Sequence, residues 1–83
     1  MELVKEIELL DRIFGTVKLT DPSANELFQL ARAYLSDSQH FFDTGKLDDS
    51  LEAYSIAWAY LDALLHLELA EIPTEFMHKF TVE

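Results

Sequence analysis

Three stretches of this chain repeat apolar residues every three or four positions, and no stretch alternates apolar with polar residues over a useful length. The first spacing is that of a helix with one buried stripe; the second is what a half-buried strand would require. The pattern therefore predicts an all-α fold. Its 83 residues leave room for one domain. A domain this small needs a dense core to be stable, and 49% apolar residues supply one.

The first stretch predicts a helix over about 2–17. Leu3, Ile7, Leu10, Phe14 and Val17 form its inner stripe, and Leu9 and Ile13 widen it. Gly15 is a point where this helix can end. The break at Thr20-Asp21-Pro22-Ser23 starts a second helix over about 22–43. Pro22 suits a first turn, and Ser23 with Glu26 has capping-box spacing. Leu27, Leu30, Ala31, Tyr34, Leu35, Ser38, Phe41 and Phe42 share its face, with the small Ser38 near the middle, where a neighbouring helix can approach closely. Gly45 comes next as a left-handed terminator. Asp48 or Asp49 is placed to cap a third helix over about 49–70, and Asp49 with Glu52 has the spacing of a second capping box. So short a link makes helices two and three an antiparallel hairpin. The expected architecture is a three-helix bundle with a short C-terminal tail or helical turn over 73–83.

Helix three is the unusual element. Its apolar positions cover roughly two-thirds of the circumference, which is more than two packed neighbours need. A third surface must cover it. The candidates are the chain's own tail, through Phe76, Met77 and Phe80, and a second molecule. Large exposed apolar patches mark interaction sites. Leu51, Trp58, Leu65 and Leu69 are accordingly the candidate interaction residues, with Trp58 as anchor because tryptophan is enriched at binding hot spots.

The hairpin also carries a resemblance. Tyr34-Leu35-Ser36-Asp37-Ser38, Phe41-Phe42, Gly45, Leu47, Ala53, Ile56-Ala57 and Leu61-Asp62-Ala63 resemble the archaeal domain-of-unknown-function family numbered 357. That family's pattern is a Tyr-x-x-Asp-Ala helix, a glycine turn and a helix ending near Leu-Asp-Ala. Ser38 and Ser50 stand where the pattern prefers alanine. The resemblance implies a small archaeal helical bundle with no established activity, and it supplies no catalytic residues. The hairpin is also faintly like a tetratricopeptide unit, but a repeat array needs about three copies and the chain holds one.

Few residues offer chemistry. With no cysteine present, disulfides and thiolate sites are excluded. No phosphate-binding glycine loop or nucleophile elbow is present. Asp62 and His66 lie one helical turn apart, and with Glu26 on the antiparallel helix they would make a carboxylate and imidazole metal site, the alternative to a binding function. Asp37, Asp62 and His66 form a possible polar site. The two aspartates, shared with the family pattern, suggest either a ligand contact or hydrogen bonds to hydroxyls across the hairpin.

Sixteen acids against six scattered bases give a net charge of −10. That disfavours nucleic acid and anionic lipid as partners. The longest apolar run is far shorter than the ~20 residues of a membrane span, and the opening residues lack a signal-peptide pattern. The expectation is a cytoplasmic, non-catalytic module without a cofactor, which forms a homodimer or binds a partner helix.

Overall fold

A computed structural model describes residues 2–80, and the three expected helices are present. Helix α1 (Leu3–Phe14) buries Ile7, Leu10, Ile13 and Phe14. It stops earlier than the expected residue 17. Its end tightens into three-residue turns, with Thr16 N–H and its hydroxyl both donating to the Ile13 carbonyl, at 2.9 and 2.6 Å. The chain then extends into a two-residue strand, β1 (Lys18–Leu19).

The second helix begins in two steps. A 3₁₀ turn, Pro22–Ala24, precedes α2 (Asn25–Asp43). The cap is Asp21 rather than the expected Ser23. Asp21 Oδ1 accepts the Ser23 N–H at 2.9 Å, and bonds from the Ser23 backbone and side chain hold the Asp21 carboxyl below its ordinary pKa.

Gly45 ends α2 as the sequence predicts, in the left-handed conformation at φ 81°. Its N–H bonds the Phe42 carbonyl at 3.1 Å and the Lys46 N–H bonds that of Phe41 at 2.8 Å, the paired closure of a Schellman motif. Helix α3 (Leu47–His66) begins at once. It starts two residues before the expected Asp49, so Asp48 and Asp49 occupy the first turn and favour its positive end instead of capping it. It also ends four residues before the expected residue 70. Glu68 takes the left-handed conformation at φ 59° and closes a second Schellman motif, Glu68 N–H to Leu65 O at 3.1 Å and Leu69 N–H to Leu64 O at 2.9 Å. Leu69 thus lies beyond the helix.

Beyond α3 the chain forms a strand that the periodicity did not predict. Strand β2 (Ala70–Glu71) pairs antiparallel with β1, Lys18 opposite Glu71 and Leu19 opposite Ala70. Thr20 extends the ladder, its N–H bonding Leu69 O at 3.0 Å and its hydroxyl Glu68 O at 2.7 Å. The tail continues through buried Ile72 into α4 (Thr74–Met77) and a 3₁₀ turn, His78–Phe80. Positions 81–83 of the expected tail lie outside the described residues.

The α2/α3 hairpin is antiparallel. Ser38 meets Ser50 near the turn, and Tyr34 meets Tyr60 edge-on at 5.8 Å farther from it. Helix α1 runs against α2 in the opposite sense, Ile7 near Phe42 and Phe14 against the Phe28 ring at 5.6 Å. Arg32 lies over both of those rings at 5.8 and 5.7 Å and donates to the Phe14 carbonyl at 3.4 Å. That places a cation at the negative end of α1. The core joins α1, Phe28, Ala31 and Leu35 of α2, Tyr54, Ala57, Leu61 and Leu64 of α3, and Ala70, Ile72 and Phe80 of the returning chain.

Candidate functional site

The helix expected to need a third neighbour has one. The 3₁₀ turn at the end of the tail stacks the Phe80 ring on Trp58, centroids 4.3 Å apart and planes inclined by 14°. Phe80 is buried and Trp58 half-buried. Tyr54 packs against Trp58 at 6.2 Å. Leu65 and Leu69 are half-buried against the core cluster. Of the four candidate interaction residues, Trp58, Leu65 and Leu69 therefore have cover from this chain. Leu51 stands apart at 40% exposure.

Leu51 has a companion that the sequence reading missed. Leu47, one turn before it, is 53% exposed. At about 100° per residue, positions 47, 51, 54, 58 and 65 fall within one narrow stripe of α3. The tail covers this stripe at Trp58, roughly 10 Å along the axis from Leu51, and the stripe's first turns are left open. Leu47 stands four before Leu51 in the sequence, but a helix start at Asp49 places it in the loop, whereas α3 begins at Leu47.

Acidic groups border the open turns. Asp48, Asp49 and Glu52 are exposed on α3. Across the stripe, Tyr54 donates its hydroxyl to Glu6 Oε2 of α1 at 3.3 Å. Burial first, then the charge of Glu6 and this bond, push the Tyr54 hydroxyl up to a pKa of about 12. Nearby bases are few. Lys46 is the N-cap residue of α3, and Lys5 is engaged by Glu2 at 3.0 Å.

The polar candidates do not converge. His66 Nδ1 lies 2.8 Å from the Asp62 carbonyl and 3.1 Å from Asp62 Oδ1. Only the carbonyl contact has hydrogen-bond geometry, since Oδ1 has no hydrogen-bond partner among the described residues. Asp37 is exposed on α2. In the register set by Ser38 and Ser50 it sits more than ~10 Å along the hairpin from Asp62. Glu26 is exposed in the first turn of α2. Among the described residues no three of His, Cys, Asp and Glu are grouped to hold a metal ion, so Glu26, Asp62 and His66 do not form such a cluster.

The hydroxyls across the hairpin bond backbone rather than the aspartates. Ser38 Oγ donates to Ser50 O at 2.7 Å, and Ser50 Oγ donates to Ser38 O at 2.8 Å. Both serines are fully buried. This reciprocal clasp satisfies two buried hydroxyls where the helices touch.

A family described as "Protein of unknown function (DUF357)" matches residues 7–70. The chain belongs to the DUF357 family. The DUF357 match takes in most of α1 and the whole hairpin, including the residues that carry the resemblance, and stops before α4 and Phe80. The chain is also similar in fold to a solved DUF357 structure, protein AF1782 from Archaeoglobus fulgidus. Their TM-score is 0.76 at 24% identity, over 87% of this chain and 90% of that one. No curated protein matches the chain. Among the described residues no helix is long and apolar enough to cross a membrane.

Besides the open stripe, α1 and α2 enclose a groove of about 340 Å3 lined by Val4, Ile7, Glu8, Gln39, Phe42 and Asp43. It lies on the opposite flank of α1 from the Glu6–Tyr54 contact, and half of its lining residues are polar.

Proposed function

We propose that this DUF357 protein is a non-catalytic interaction module that binds another protein chain through the first turns of α3. The observation that carries this reading is the pair Leu47 and Leu51, 53% and 40% exposed one turn apart, continuing a stripe that is otherwise covered. Burying two such leucines contributes several kcal/mol, enough to centre a contact. Trp58 supports the same surface from within, as the packed end of the stripe.

The test is a photo-crosslinking residue placed at position 51 of the full chain in its native host, with position 71 on β2 as control. A discrete adduct at 51, absent at 71, with the captured segment identified by mass spectrometry, is the expected outcome. Capture at neither position 51 nor position 47 overturns the reading.

A further inference from the structure

The interaction reading leaves open what the leucines meet, and the charge around them selects the occupant. Resting on that reading, we infer that the Leu47–Leu51 face docks a basic, amphipathic helix of a partner protein. A helix fits because the open stripe is narrow and about one turn long. An apolar pair at i and i+4 on a partner would cover it. Basic residues fit because the leucines are flanked by exposed Asp48 and Glu52, and Glu6 of α1 reaches the same helix at Tyr54, about one turn beyond Leu51. Lys5 is held by Glu2, and exposed Lys46 at the helix start is one base beside exposed Asp48, Asp49 and Glu52. A second copy of this chain fits poorly. It would bring the same acids against themselves, on a molecule of net charge −10, and like charges across a contact are repulsive.

The test titrates the full chain with three labelled synthetic helices that share a leucine face and differ in their polar face: lysine, glutamine or glutamate. Fluorescence anisotropy reads binding, and light scattering reads the mass of the protein alone. The lysine helix binds at least tenfold tighter than the other two. Raising NaCl from 50 to 500 mM weakens it at least tenfold. The double variant Leu47→Gln/Leu51→Gln loses at least tenfold, although its charge is unchanged. Asp48→Lys/Glu52→Lys loses as much, whereas Glu71→Lys/Glu75→Lys, with the same change in net charge, loses less than threefold. Circular dichroism and Trp58 emission confirm that each variant is folded.

Equal losses from both charge reversals would mean diffuse attraction, and the inference would fall. Equal binding of the glutamine or glutamate helix, or a dimer that Leu47→Gln/Leu51→Gln dissociates, would also overturn it while leaving the interaction reading intact. Failure of all three helices alongside a productive crosslink at residue 51 likewise removes only the basic helix. Failure of both experiments removes the two readings together.

Discussion

At the scale of single residues, two polar contacts tie the helices together, one buried between α2 and α3 and one part-buried between α1 and α3. The Ser38–Ser50 clasp lets α2 and α3 approach closely while each hydroxyl donates to the facing carbonyl. Ser38→Ala removes one such bond and leaves no donor stranded, so chemical denaturation should show a loss of about 1 kcal/mol. Ser38→Val adds volume where there is none and should cost about 2–3 kcal/mol. Tyr54 supplies a pH prediction. Its pKa is raised from 10.0 to about 12, so the fold favours the neutral phenol. The resulting stability is complete below about pH 10 and is lost as pH rises toward about 12. Tyr54→Phe should abolish that alkaline loss, which solvent screening keeps below the ~3 kcal/mol that the full shift would give. Absorbance at alkaline pH should show a late phenol titration in the parent chain that Tyr54→Phe lacks. Ser38 was legible in the sequence as a small residue on an apolar face. Its partner was not, because the pairing depends on the hairpin's register, which a linear pattern leaves undetermined.

At the scale of elements, the helix ends separate what the pattern encodes from what the fold imposes. Gly45 was legible because only glycine takes a left-handed conformation without strain. Glu68 holds a similar conformation at φ 59° and was invisible, since nothing in a glutamate announces a helix stop. The apolar residues Leu67, Leu69 and Ala70 prolong a helical pattern that the β1–β2 ladder overrides. Two substitutions probe this contrast. Gly45→Ala should destabilise by about 1–2 kcal/mol through backbone strain alone, because an added Cβ meets no atom within 4 Å. Glu68→Gly should stabilise by about 0.5–1 kcal/mol by releasing the same strain. Thermal melts monitored by circular dichroism distinguish the two signs. The tail yields a third prediction. Phe80→Ala should cost about 3–5 kcal/mol and shift Trp58 emission to the red, because the stacked ring shields one face of the indole from water.

For the whole molecule, the sequence established the fold class, the hairpin and the excess apolar girth of α3. The division of that girth was not legible. It depends on a two-residue ladder turning the chain back and on a 3₁₀ turn carrying Phe80 to Trp58, neither of which leaves a periodic trace. The tail reaches one half of the stripe and leaves Leu47 and Leu51 open among acids. We propose that this remaining half is where the molecule meets a partner. The most direct test is a leucine-methyl NMR spectrum of the full chain, titrated with the lysine-faced helix. The methyls of Leu47 and Leu51 should move together while those of buried Leu61 and Leu64 hold still. Stationary Leu47 and Leu51 signals, with shifts gathered instead around Val4 and the α1/α2 groove, would contradict it.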